Sequence, residues 1–177
     1  GQNRSVIVCR VDEQAHRINH FVNKTAAINS DDSYSGYGAL LATVNPFVEK
    51  GKFFEKTIIC GSHRQSMKAI ANKQADVAAI DEVVWNLAFD YEPEVEALRV
   101  IGKTQPMPAP PLITNWSNNS LRHVLNEAIE EAVSLLDETT KSALQLYGYK
   151  HMDLVDYEPI LRQLNEIKDP QKILGID

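Results

Sequence analysis

Thr25–Leu41 reads TAAINSDDSYSGYGALL. Thr25–Asn29 is a compact β-rich run. Ser30–Gly36 is a polar turn full of helix-starting residues, after which Leu40, Leu41, Val44, Phe47 and Val48 recur at helical spacing until Gly51 and Lys52. A strand that ends in a polar turn and hands over to a helix is half of an α/β unit. The same sequence of events recurs downstream. Lys56–Cys60 (KTIIC) is followed by Gly61-Ser62-His63 and by a helical pattern over Gln65–Lys73, with Met67, Ile70 and Ala71 on one face. Asp76–Ile80 (DVAAI) is followed by a helical pattern over Asp81–Phe89, and Leu98–Gly102 (LRVIG) reads as a further strand. DVAAI does not alternate, which suits a strand covered on both faces. Upstream, Ser5–Arg10 (SVIVCR) reads as a strand, and Ile18, Phe21 and Val22 give Asp12–Asn23 a short helical pattern. Short connections between alternating strands and helices predict an α/β layer with mostly parallel strands.

The character changes at Pro106–Pro111 (PMPAPP), where four prolines in six residues exclude a helix or a central strand. Beyond this stiff connector, Leu112–Thr114 reads as a short strand and the rest as helices over Ser120–Leu136, Glu138–Leu146 and Tyr157–Ile167. The expected division is 1–114, an α/β ligand-binding lobe with its connecting strands, and 115–177, a helical part of another lobe. Leu121, Val124, Leu125, Ile129, Val133, Leu135 and Leu136 give this tail apolar faces that need covering. Either the tail folds back on the first lobe, or the sheet that receives it is missing, which would favour self-association.

Composition excludes several classes. The 177 residues are 44% hydrophobic and 24% charged, a globular balance. The apolar runs fall far short of the roughly 20 residues of a membrane span. With 18 basic against 24 acidic residues the net charge is −6, so no basic excess exists to neutralise nucleic-acid phosphates. A local anion site built from backbone N–H groups stays open. The two cysteines, Cys9 and Cys60, lack zinc or thioredoxin spacing and read as small buried hydrophobes in strands. No signal peptide is present, and the polar start Gly1–Arg4 reads as a cut end.

Three strand-end turns carry the candidate chemistry. In Asp31–Tyr37 a helix start exposes N–H groups, Ser33 and Ser35 add hydroxyls, and Gly36 admits a close approach to the backbone. Together they form an oxyanion cradle, against the alternative of an ordinary N-cap. His63 follows a second strand and can donate to an anion, against the alternative of a surface histidine beside the capping Ser62. Asp81 and Glu82 open the third turn, where a carboxylate would accept from a ligand hydroxyl or ammonium group or else cap the next helix. Parallel strands bring such ends to one edge, where α/β ligand crevices lie. His16 and His20 share a helix face but lack a third metal ligand, so they read as solvated. Ser35 and His63 have no GxSxG elbow and no orienting acid, which argues against hydrolysis. No metal or other cofactor is expected.

The order AINSDDSYSGYGALL, ICGSHRQSMKAIANKQADVAAIDEVVW and LRVIGKTQPMPAPPLIT resembles the phosphate, phosphite and phosphonate substrate-binding proteins of ABC transporters. The resemblance runs over about Ser5–Ile160 and includes LYGY at Leu146–Tyr149 and DYEPI at Asp156–Ile160. It implies the two-lobed periplasmic-binding-protein type 2 fold, an extracytoplasmic location and an ABC permease as partner, with at most a peripheral contact to the membrane. Ser33 and Ser35, with the backbone at Tyr34 and Gly36, match the oxyanion-binding SxSG loop, and His63 matches a histidine that contacts the oxyanion. Asp81 or Glu82 falls near the acidic position that meets a ligand amine. Ser5–Arg10 corresponds to the first crossing between lobes and Pro111–Thr114 to the return.

Two departures qualify the likeness. Family members carry an opening βαβ stretch, with an aromatic ligand contact, ahead of the equivalent of Ser5. They also carry an Asp just before the return strand, where Pro110 stands here. The implied function is a non-enzymatic solute-binding component that holds a small oxyanion, foremost a phosphonate, between lobes. The alternative is a sensory ligand-binding domain of the same fold.

Overall fold

The computed structural model describes residues 2–115 and 119–176, so Gly1 of the polar start lies outside the described residues. Its centre is a five-stranded sheet of Ser5–Arg10 (β2), Thr25–Ile28 (β3), Lys56–Ile59 (β4), Val77–Asp81 (β5) and Leu98–Lys103 (β6), in the order β4-β3-β5-β2-β6. β3 runs parallel to β4 and to β5, while β2 lies antiparallel between β5 and β6. Four of the five strands thus share one direction, as the strand–helix rhythm requires. β2 is the exception, running antiparallel to both of its neighbours.

The strands alternate apolar side chains to two covered faces. Ile7, Cys9, Ala26, Ile28, Val77 and Ala79 point to one face. There they meet Leu40, Leu41 and Val44 of Ala39–Val44 (α1), together with Phe21, Phe53 and Phe54. Val6, Val8, Ala27, Ala78 and Ile80 point to the other. There they meet Met67 and Ile70 of His63–Ala71 (α2) and Trp85 of Glu82–Tyr91 (α3). Burial on both faces explains why DVAAI shows no polar alternation. Cys9 and Cys60 are free, and burial pushes both thiols up, away from reactivity at neutral pH.

Two expectations are corrected. Asp12–Asn23 makes only a single 3-10 turn at Ile18–Phe21, with Phe21 buried; its two apolar positions suffice for an anchor, not for a helix face. His20 Nδ1 accepts from the His16 backbone N–H (3.4 Å) and both side chains stay exposed. The short strand expected at Leu112–Thr114 does not form either. Instead Met107–Pro108 (β7) pairs antiparallel with Gln2–Asn3 (β1), through the registers Gln2 with Pro108 and Asn3 with Met107. A two-residue edge pair tolerates the missing proline donor.

The tail divides, and its last part takes the first of the two courses left open for it by folding back on the sheet. Asn119–Ser134 (α4) and Glu138–Leu144 (α5) leave Leu121, Val124, Leu135 and Leu144 exposed. Residues 158–176 return to the sheet. Glu158–Asn165 (α6) leads to Pro170–Leu174 (α7), and Ile167, Ile173 and Leu174 enter the first core beside Phe53 and Phe54. The backbone N–H groups of Phe53 (2.9 Å) and Phe54 (3.1 Å) both donate to the Ile173 carbonyl, which locks that return.

Candidate functional site

Because β3, β4 and β5 are parallel, their carboxyl ends reach one edge and each feeds a helix start. Ser33 precedes a π-helical turn, Tyr34–Gly38, that runs on into α1; its Oγ accepts from the Gly36 N–H at 3.3 Å. Ser62 caps α2 by accepting from the Gln65 N–H (3.1 Å), so the next residue, His63, stands in the first turn. Asp81 caps α3, its Oδ1 accepting from the N–H groups of Val83 (2.9 Å) and Val84 (3.2 Å). Three helix starts aimed at one edge concentrate unpaired N–H groups and positive dipole ends there.

Side chains link the first two turns. Ser35 Oγ lies 2.9 Å from His63 Nε2 and 3.5 Å from Ser33 Oγ. Asn29, the residue after β3, donates from Nδ2 to Ser33 Oγ at 2.9 Å. His63 Nδ1 is buried without a hydrogen-bond partner. Burial holds the His63 pKa below its ordinary 6.5, against the raising pull of Asp81 and of the Ala79 carbonyl. His63 is therefore neutral at pH 7 in the unliganded site.

The expected residues divide into two groups. Ser33, Ser35 and His63 come together as one polar cluster, and Asp81 couples to it electrostatically through His63. The Tyr34 side chain turns away and donates to Gln163 Oε1 of α6 at 2.7 Å, and burial pushes its pKa up to about 12. Only its backbone faces the turn. Gly36 is needed for a reason other than ligand approach. A Cβ there would sit 1.8 Å from Asn29 Oδ1 and 3.3 Å from His63 Cε1, so the space is already filled by protein. Asp81 has its acceptors largely engaged, Oδ1 by the cap and Oδ2 by the Asn3 amide of β1. Glu82 pairs with Lys103 (2.5 Å) and Arg4 (3.6 Å), away from the cluster.

Three site residues escaped the sequence reading. Asn29 was read only as the end of a strand; a lone Asn after an apolar run gives no sign of where its amide points. Ser5 lies opposite Asp81 in register, and its Oγ donates to the Ser35 carbonyl at 2.7 Å. Thr104 Oγ1 accepts from the buried Ser5 N–H (2.9 Å), and the Thr104 N–H returns a bond to the Ser5 carbonyl (2.9 Å). The available signal was a serine opening an otherwise apolar strand. Through Ser5, β2 and Thr104 are tied directly to the serine turn.

Chemically, the cluster offers hydroxyl and N–H donors without a fixed cation, which suits a small oxyanion. It resembles a nucleophile and base only in the Ser35–His63 contact. The third member is not in place, since His63 Nδ1 meets no carboxylate and both Asp81 oxygens are held by other groups. No group of three metal-ligating side chains occurs among the described residues.

A family model described as ABC transporter, phosphonate, periplasmic substrate-binding protein matches residues 1–159. No curated protein sequence matches the chain. Among solved structures, PhnD1 from Prochlorococcus marinus in complex with methylphosphonate superposes with a TM-score of 0.71 at 18% identity, over 94% of this chain and 68% of that one. A binding protein component of an ABC phosphonate transporter from Pseudomonas aeruginosa gives 0.65 at 21% identity, over 91% and 56%. A Xanthomonas citri protein bound to chloride ion gives 0.65 at 16%, over 93% and 64%. These likenesses establish the fold. The chain spans between about half and two thirds of the length of these structures.

Proposed function

The chain belongs to the periplasmic substrate-binding proteins of phosphonate ABC transporters, and we propose that it binds a small phosphorus oxyanion at the Ser33–Ser35–His63 cluster for delivery to a permease. The 2.9 Å contact between Ser35 Oγ and His63 Nε2, at the edge where three helices start, is the observation that carries this reading. Ser33 and Ser35 donate hydroxyl hydrogens to the anion, and the backbone N–H at Tyr34 adds to them, while the Gly36 N–H stays on Ser33 Oγ and holds the turn in shape. His63 donates from Nε2 once it is protonated or in the Nε2–H tautomer. Asp81 serves a ligand that carries an ammonium group, which would take the place of the Asn3 amide at Oδ2. The pairing of β1 with β7, joined to the serine turn through Ser5, is where lobe closure would be sensed. The setting is extracytoplasmic, and among the described residues no helix is long and apolar enough to cross a membrane. The exposed apolar side chains of α4 and α5 form a second contact, between copies of the chain.

Calorimetric titration of the 177-residue chain with phosphate, phosphite, methylphosphonate, 2-aminoethylphosphonate and sulfate tests this reading. Saturable binding of a phosphorus oxyanion, and not of sulfate, is expected. Ser35→Ala should weaken it by about 1–3 kcal/mol, the loss of a hydrogen bond to a charged group. Tighter binding of 2-aminoethylphosphonate than of methylphosphonate is the result expected from Asp81. Silence across the panel, from a folded chain, would overturn the reading, as would an unchanged affinity in Ser35→Ala for the role of Ser35.

A further inference from the structure

We infer that Asn29 is a positioning residue, one that fixes the direction of the hydrogen bond at Ser33 so that the serine presents its hydroxyl hydrogen, rather than a lone pair, to the anion. The inference rests on the proposed binding reading and deepens it by naming what the site selects. Ser33 Oγ has two lone pairs and one hydrogen. One lone pair receives the Asn29 amide (2.9 Å) and the other receives the Gly36 N–H (3.3 Å). With both acceptor positions used, the hydrogen must leave in the remaining direction, toward Ser35 Oγ at 3.5 Å or into the space a ligand would occupy. A hydroxyl held in this way can only donate. It favours an unprotonated anionic oxygen and meets a protonated or esterified one less well.

The orientation of the amide is set by its surroundings. Asn29 Oδ1 is buried without a hydrogen-bond partner, and it faces the Cα of Gly36 on the side where His63 Cε1 also lies. C–H groups tolerate a carbonyl oxygen and repel an amide N–H. Turning the amide over would bury two N–H donors against carbon and give Ser33 an acceptor instead of a donor. Glycine at position 36 is what leaves room for that oxygen, since any Cβ would collide with it at 1.8 Å. Asn29, Ser33 and Gly36 therefore act together: the glycine admits the amide, the amide fills the serine, and the serine faces the ligand as a donor.

Asn29→Asp tests this with one atom changed. A carboxylate at that place would take the Ser33 hydrogen for itself and would add a negative charge beside the anion. Titration of methylphosphonate into wild type and Asn29→Asp near pH 7.5 should show a loss of about tenfold or more. The titratable groups around position 29 are His63 at the start of α2, Asp81 at the end of β5, and the exposed Asp31 and Asp32 of its own turn. The carboxylates raise the pKa of an acid placed there and protonated His63 lowers it. As pH falls and the introduced carboxylate takes up a proton, its O–H can donate to Ser33 as the amide does. The ratio of wild-type to variant affinity should therefore shrink toward one, a change that a purely structural role would not produce.

Asn29→Ala and Ser33→Ala, singly and together, keep the test open should the Asn29→Asp variant fold poorly. The double variant should bind no more weakly than Ser33→Ala alone, because Asn29 acts through that serine. Equal affinity of wild type and a folded Asn29→Asp, a ratio that does not move with pH, or additive losses in the double variant would each overturn the assignment while leaving the binding reading intact. Failure of wild type to bind any phosphorus oxyanion would overturn both.

Discussion

His63 shows how one residue carries two opposing demands. Its ring must be dry enough to act on an anion, yet burial disfavours its charged form. The folded-state pKa lies below 6.5, so as pH falls the unfolded chain takes up that proton first. The contribution of neutral His63 to stability is complete above about pH 6.5. It is lost as pH falls through that value toward the lowered folded one. His63→Gln should therefore flatten the decline in stability between neutral pH and about pH 5, read as urea midpoints at each pH. A decline as steep as that of wild type would show that another group titrates. At this scale the sequence was informative about residue types and silent about directions. Ser33, Ser35 and His63 were legible as polar residues at strand ends, each with a capping or surface role as its alternative. Asn29, Ser5 and the outward turn of the Tyr34 side chain were not. Where an amide or a hydroxyl points is decided by partners brought from elsewhere in the chain, here Gly36, Ser35 and Gln163.

At the scale of elements, the five strands of the main sheet were legible to within a residue or two because apolar β-rich runs bounded by polar turns leave little choice, whereas the short β1 and β7 were not. α7 was missed. Five residues are too few to show a periodicity, and Pro170–Leu174 is held by what it docks on rather than by helix propensity. Thr57 Oγ1 of β4 donates to the Leu174 carbonyl. Gly175 ends the helix with φ +61, and a Cβ there would meet the Glu55 and Phe54 carbonyl oxygens at 2.7 and 2.8 Å. Those obstacles are backbone and cannot swing aside. Gly175→Ala should lower the urea midpoint, whereas Gly148→Ala, where no atom lies within 4 Å, should leave it nearly unchanged. Leu174→Ala empties a fully buried position and should cost about 2–5 kcal/mol. Small losses in both Gly175→Ala and Leu174→Ala would mean that the C-terminal return is not part of the cooperative core.

At the scale of the molecule, all fully buried apolar residues among those described fall within residues 6–98 and 167–174. The segment between them exposes Ile113, Leu135 and Leu154, each by more than three quarters. The sequence showed that these faces needed cover; it could not show that residues 158–176 leave them and join the other core. Sedimentation velocity over a range of concentrations should show reversible association, reduced by Val124→Ser with Leu135→Ser. A monomer at every concentration would overturn the proposed contact between copies.

The position of β2 also governs how the molecule comes into being. It lies inside the sheet between β5 and β6, and both partners come from far along the sequence, at Val77–Asp81 and Leu98–Lys103. The core it belongs to is not sealed until Leu174 arrives beside Phe53 and Phe54. The pairings of β2 are all non-local, and the entropy of closing long loops comes due before they form. Refolding from denaturant therefore belongs with the slow, non-local folders rather than with helical bundles.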